Sequence, residues 1–358
     1  MRKASAGAAA RAAGAAARRR LRVLVLMHDY LVPPDDVSGH DLTTAPWKTE
    51  YDVLRTLRDD LQHDVRVLGV KDELGPIRQA NEDFKPHIAF NLLEAFHEIG
   101  TYDQNVVAYL ELLRLSYTGC NPRGMLLARD KALSKKLMHY HRIPAPDFGV
   151  MPRGRKARAP KRLAFPMIVK PLTQESSIGI SQASVVEDEA KMRERVEFIH
   201  ESIRTDAIVE QYVEGRELYC GIIGNQRLQV LPVWEMTFAN MPDSQHRIAT
   251  ERVKWNTKYQ KRVGVVTGPA KDLPEGAAER IQHISRRVYQ VLQLSGYARI
   301  DLRLDAQGQV YVLEANPNPQ IAAAEDLAQS AAVAGLPYAA LLQRILTIGI
   351  RWEPERAG

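Results

Sequence analysis

The 358-residue sequence has no run of about 18 consecutive apolar residues, which excludes an ordinary membrane-spanning helix. It has only two cysteines, Cys120 and Cys220, too few for a disulfide framework and without metal-ligand spacing. Both read as small apolar fillers. Net charge is scarce once its position is considered. Residues 1–20 carry Arg2, Lys3, Arg11, Arg18, Arg19 and Arg20 and no acid. Taking those six from the 49 Lys plus Arg leaves a number equal to the 43 Asp plus Glu. The formal +6 therefore belongs to the tail, and a basic nucleic-acid-binding face is not supported. Arg11 splits the tail's alanine run, so the apolar core of a secretory signal is missing too. The tail reads as a disordered basic arm or an overextended start, with a transit peptide or a polyanion-binding arm as the minority reading. A cytoplasmic protein without nucleic-acid or membrane partners is expected.

What is present is an ordinary globular composition, 45% hydrophobic and 26% charged, in a chain long enough for two or three domains. Leu21–Met27 is nearly all apolar, as a buried parallel strand is. Strands are also expected over 64–70 and 87–91, with helices over 48–62 and 102–115. That alternation predicts an open α/β domain ending near Gly119, its ligands lying beyond the strand C-termini. The loops His28–Pro34 and Asn91–Gly100 then flank a cleft, where Glu94 and His97 are candidate substrate contacts. A single helix is expected over 122–141, stopped by Pro144 and Pro146.

The most informative stretch runs from Gly296 to Pro317. Two strands flank a Gly-bearing turn at 306–309. Period-two alternation puts Arg299, Asp301 and Arg303 on one face, and Val310, Val312, Glu314 and Asn316 on one face of the partner. A tight turn centred on Gln307-Gly308 sets Asp301 opposite Glu314 and Arg299 opposite Asn316. Carboxylates directly across a strand pair repel, unless a divalent cation lies between them. Carboxylate and amide oxygens suit magnesium. A solvent-facing sheet surface is the competing reading.

Phe165–Pro171 ends an apolar strand on Lys170, and Thr173–Gly179 follows as a small polar loop able to cover phosphates. The order of pieces is more specific than any one of them: Arg129-Asp-Lys131, Val169-Lys-Pro171, Val209-Glu-Gln-Tyr-Val213 with Glu217, Ala298-Arg-Ile-Asp301 and Leu313-Glu-Ala-Asn316. This order resembles the ATP-grasp signature. Tyr117-Thr-Gly119 followed by Asp130–Lys135 narrows the resemblance toward the D-alanine–D-alanine ligases.

The resemblance implies α/β plus α+β architecture: a Rossmann-like N-terminal domain over 21–119, then a two-lobed ATP-grasp domain, its central lobe over 120–213 and its C-terminal lobe over 214–350. It implies an ADP-forming carboxylate–amine ligase that uses ATP and two magnesium ions, with manganese as the substitute ion. Expected partners are small amino-acid or amine substrates, with a homodimer as the assembly. By motif, Lys131 and Lys170 would hold phosphates, with Ser176 and Ser177 in the covering loop. Glu210, Gln211 and Val213 would line the adenine pocket, and Glu217 would bind ribose. Asp301, Glu314 and Asn316 would bind the metal. Arg299 would stabilise the acyl phosphate, and Ser176 would also serve catalysis. Lys258 and Tyr259 resemble a mobile loop closing over the site, although ordinary exposed charges fit them nearly as well. An ATP-grasp ligase for another amine, or a non-catalytic ATP-binding regulator, is the alternative.

Three departures concern substrate. The first loop reads His28–Pro34 rather than a glycine-rich loop with a glutamate, Glu175 replaces a usual glycine, and Glu325-Asp326 falls where the ligases carry Ser-Leu. Acidic side chains there would repel an acceptor's carboxylate, so free D-alanine is not the expected acceptor. The competing reading turns Glu325 outward to cap a helix.

Overall fold

The computed structural model describes residues 20–175 and 177–354. The expected basic arm therefore lies, Arg20 apart, outside the described residues, as does Ser176. The described residues form three sheets. β1 (Arg22–His28) lies between β2 (Asp64–Val70) and β3 (Ile88–Asn91), all parallel. Both faces of β1 are buried: Leu24 and Leu26 enter one core cluster, Val23, Val25 and Met27 another. That two-sided burial is why β1 reads as a continuous apolar run rather than an alternating one.

A four-stranded sheet follows, ordered β4 (Phe148–Met151), β7 (Ala207–Gln211), β5 (Met167–Pro171), β6 (Val185–Val186). The third sheet runs β10 (Val265–Pro269), β9 (Gln229–Phe238), β8 (Arg216–Ile223), β11 (Tyr297–Leu304), β12 (Val310–Pro317), antiparallel throughout. Its inner face, including Leu218, Cys220, Ile300, Leu302 and Val312, packs on the amphipathic helix Ala277–Val291. Both cysteines are buried and free, as filler residues should be.

The single helix expected over 122–141 is two helices, Pro122–Arg129 and Lys131–Tyr140. Asp130 separates them in an extended conformation, and its carboxylate accepts from the Ala132 and Leu133 amides. It is an N-cap, a role apolar periodicity does not reveal. The joint between first sheet and remainder is close-packed. Gly119 has φ +97°, and a Cβ there would fall 2.5 Å from Asn318 Oδ1, the acceptor for Cys120 N. Among the described residues, no single helix is long and apolar enough to cross a membrane.

Candidate active site

The β11–β12 register pairs Asp301 with Glu314 and Arg299 with Asn316, as a tight turn predicts, but by another route. Nearer the turn, Leu302 pairs with Val312 and Leu304 with Val310, one residue out of step with that prediction. A bulge at Leu313 absorbs the difference. It also corrects the expected faces. Val310 and Val312 point into the core beside Leu302 and Leu304, whereas Glu314 and Asn316 share the face of Asp301 and Arg299. A bulge places two residues opposite one, so strict alternation fails across it.

On that face Arg299 donates twice to Asp301, Nε to Oδ1 at 2.7 Å and Nη2 to Oδ2 at 2.9 Å. Its guanidinium lies 4.6 Å from the centre of the Tyr219 ring, an aromatic floor that fixes its plane. Tyr219 donates to Glu217 Oε1 at 3.0 Å, and Arg303 holds Glu217 Oε2 at 2.8 Å. The Glu217 carboxylate is thus committed to two protein donors. Burial pushes the Asp301 carboxyl up against the pull of Arg299, with the facing Glu314 adding to the rise. Glu314 is held at about 2, because Lys131, Lys254 and Lys170 outweigh the effect of its burial.

Opposite this face stand the lysines. The cap at Asp130 starts a helix whose first residue, Lys131, reaches Gln174 O at 2.5 Å and Glu314 at 3.5 Å. One turn later comes Lys135, fully buried, which sequence reasoning did not single out. It donates to Leu313 O at 2.7 Å and lies 3.5 Å from Glu210 Oε1. The bulged residue has no ladder partner, so its carbonyl is available to this lysine. The spacing Lys131 to Lys135 is one helical turn, the signal that could have found it. Lys170, at the end of β5, pairs with Glu210 Oε2 at 2.9 Å. Burial lowers Lys135 to about 8 even with Glu210 beside it. In Lys170 the attraction of Glu210 and Glu314 overcomes burial and raises the pKa. The Glu210 side chain is therefore enclosed between two lysines, while Gln211 is exposed at the strand end and Val213 is buried.

Ser177 lies in the turn after Glu175 with φ +59°. This loop is tied to the helix Glu251–Trp255: Gly179 N donates to Glu251 Oε2 at 2.9 Å, and Glu251 N to Ile180 O at 2.9 Å. The structure does not bring Lys258 and Tyr259 to the cleft. Lys258 is exposed, and Tyr259 is buried with Phe238, Met241, Val253 and Val263, its hydroxyl reaching Gln245. Lys254, Trp255 and Gln260 line the cleft instead. Tyr259 is the apolar anchor of its helix, whereas Lys254 on the preceding helix lines the cleft and acts electrostatically on Asp301 and Glu314.

A cavity of about 630 Å³ opens beside Arg299 and Asn316, bounded by the loops after β1 and β3, Glu175 and the 319–326 segment. Glu94 lines it, but His97 does not. Arg129 pairs with Asp103 and, at 3.2 Å, with Glu175. Burial carries Asp103 up to about 7 despite Arg129. Asn316 Nδ2 and Glu175 Oε1 are buried and, among the described residues, without a hydrogen-bond partner.

A family model for the D-Ala D-Ala ligase C-terminus matches residues 137–347. The chain belongs to the D-alanine–D-alanine ligase family. A D-alanine–D-alanine ligase of Desulfotalea psychrophila is 30% identical over 75% of this chain and 80% of its own length. An uncharacterized protein of Sinorhizobium fredii is 34% identical over 74% of this chain and 75% of that one. The D-alanine–D-alanine ligase of Bacillus anthracis, solved in complex with ATP, has the same fold, with a TM-score of 0.72 at 24% identity over 92% of this chain and 98% of that one. Membership makes the protein an ATP-dependent ligase of the ATP-grasp type.

Proposed function

We propose that the protein joins a carboxylate to an amine with ATP, forming a dipeptide-like amide, ADP and phosphate through an acyl phosphate. The observation that supports this most is the single face carrying Arg299, Asp301, Glu314 and Asn316, opposed by Lys131 and Lys170. The proposed organisation is a Rossmann-like domain over 21–119, a central lobe over 120–213 and a C-terminal lobe over 214–350.

The donor set fits magnesium. Asp301 and Glu314 face one another and Asn316 adds an amide oxygen, all hard ligands. Among the described residues no cluster of three or more His, Cys, Asp or Glu forms an all-protein cage. That suits an ion that keeps waters and shares phosphate oxygens. Two ions would be held by Asp301, Glu314 and Asn316, and magnesium there would supply charge neutralisation at the transferring phosphoryl group.

Lys131, Lys170 and Lys254 hold the polyphosphate, and the loop around Ser177 covers it. Glu210 positions Lys170 and Lys135, leaving its backbone, Gln211 and Val213 to the adenine. Glu217 sets the place of Arg303 and Tyr219 beneath the ribose. With Nε and Nη2 of Arg299 taken by Asp301, Nη1 is left to donate to the acyl oxygen as charge develops. The amine forms its C–N bond as the C–O bond to phosphate breaks, and phosphate leaves with the electron pair. The surplus proton on nitrogen passes to the departing phosphate. Loop contacts between 177–180 and Glu251 exclude water, which would otherwise hydrolyse the acyl phosphate.

Amine-dependent ADP release with product mass measurement tests the reading. Arg299→Ala is expected to retain ATP binding and lose amine-dependent release. Absence of amine-stimulated release across a broad panel for the unaltered protein would instead mark a nucleotide-binding module without turnover.

A further inference from the structure

The segment after β12, residues 318–325, belongs to no strand or helix, yet it walls the cavity that Arg299 also lines. Pro317 to Gln320 and Ala324 to Asp326 face the space. A loop without ladder hydrogen bonds keeps one shape only if groups elsewhere in the chain hold it. Asn318 stands in the left-handed region at φ +52°, its Oδ1 accepting from Cys120 N at 2.7 Å. Ile321 is buried in the same apolar cluster as Val53, Leu54 and Leu57, two of which lie on the helix Lys48–Arg55 between β1 and β2. On either side of Ile321 that helix supplies a polar partner. Thr49 Oγ1 accepts from Gln320 Nε2 at 3.0 Å, and Asp52 Oδ2 accepts from Ala323 N at 3.0 Å. Thr49 and Asp52 are three residues apart, so they share one face of the helix. Neither is a cavity-lining residue; both grip the wall from behind. Lys48, at the start of the same helix, acts on the wall through charge: burial and Asp326 raise the Glu325 pKa, and Lys48 and Arg299 oppose the rise.

We propose that Asp52, assisted by Thr49, is a positioning residue: from outside the cavity it fixes the 319–324 wall, and so sets how the substrates meet beside Arg299. The inference rests on the ligase reading. The Asp52 contact is the stronger of the two, because a carboxylate accepting from a backbone N–H is charge-assisted and restrains the main chain itself. A displacement of about 1 Å between reacting groups costs about a hundredfold in rate, even when its cause lies far from the chemistry. The lysines proposed to hold the polyphosphate stand on other elements, Lys131 at a helix start and Lys170 at the end of β5. Loosening the wall therefore separates substrate use from nucleotide binding.

The test compares the unaltered full chain with Asp52→Ala, Asp52→Asn and Thr49→Val. Amide hydrogen exchange is read by mass spectrometry with magnesium and a non-hydrolysable ATP analogue present. ADP release is measured with magnesium, ATP, D-alanine as the acid, and D-alanine or D-alaninamide as the amine. Asp52→Ala is expected to speed exchange across 318–326 about tenfold, the loss of one hydrogen bond to a charged group. The helix Lys131–Tyr140 and the strand Ala207–Gln211 should exchange as before. The kcat/KM for the amine should fall by about tenfold or more, with affinity for the ATP analogue unchanged. Asp52→Asn keeps an oxygen that accepts from Ala323 N and should recover most of both losses, and Thr49→Val should have the smallest effect. Unchanged exchange in 318–326, or exchange accelerated equally throughout the chain, would overturn the inference. So would a fall in kcat/KM matched by the same fall in nucleotide affinity, or Asp52→Asn behaving like Asp52→Ala. Absence of ADP release from the unaltered protein with either amine would count against the ligase reading and not against Asp52, on which the exchange pattern then decides.

Discussion

The two halves of the cleft handle charge in opposite ways. On the nucleotide side, Lys170 and Lys135 share Glu210, Arg303 holds Glu217, and Arg299 grips Asp301 at two points. On the other side, Glu94, Glu98, Glu325 and Asp326 line the cavity, and among the described residues none of them forms an ion pair as close as these. Paired charges are locked in geometry before a ligand arrives, which is what positioning a triphosphate demands. Unpaired charges leave interaction energy to be realised on binding, and so discriminate between substrates. In the proposed function the lysines and Arg299 serve the chemistry, and the acids face the space left for its substrates.

The contrast can be broken most sharply at its buried centre. Glu210→Ala leaves two buried lysines without their counter-charge and is expected to cost about 3–5 kcal/mol of stability, read by denaturant unfolding. A cost near zero would mean the triad is not a framework. Arg299→Ala should lower amine-dependent ADP release by about a hundred- to a thousandfold, with ATP affinity retained in a binding titration. A smaller effect separates neighbouring lysines. Lys254→Ala should weaken ATP binding about tenfold, as the loss of one charge-assisted contact to phosphate would, while Lys258→Ala leaves it unchanged. Equal losses would restore Lys258 to the cleft.

The smallest effect probes the acidic side. Glu50 is buried with one oxygen unpartnered, and burial, with Glu94 nearby, carries its pKa to about 7 despite a backbone hydrogen bond. Its folded pKa exceeds its unfolded value, so the folded state binds the extra proton and stability falls as pH rises from the unfolded value through about 7. Glu50→Gln should therefore raise the melting temperature by a few degrees at pH 8 and leave it unchanged at pH 5. The same gain at both pH values would show that charge is not the cause.

Much of this was legible in the chain. The buried strand over 22–28, the cross-strand pair Asp301–Glu314 and the strand-end Lys170 follow from apolar runs and period-two spacing. The break at Asp130 was missed because a capping carboxylate sits within an unbroken apolar period. The bulge at Leu313 was missed because an extra residue leaves no compositional mark. Lys254 was passed over for Lys258 because both precede an aromatic residue, and only packing distinguishes a ring that anchors a helix from one beside the cleft.

By itself the sequence determined the order in which the motif-bearing side chains occur and that Asp301 and Glu314 face one another, because local periodicity and strand pairing act over a few residues. The tertiary structure alone decided that Glu210 serves lysines, that Leu313 lends its carbonyl to Lys135, and that Glu325 faces the cavity rather than capping its own helix. Each depends on groups distant in the chain competing for one partner in a buried space, where desolvation makes the choice of partner decisive.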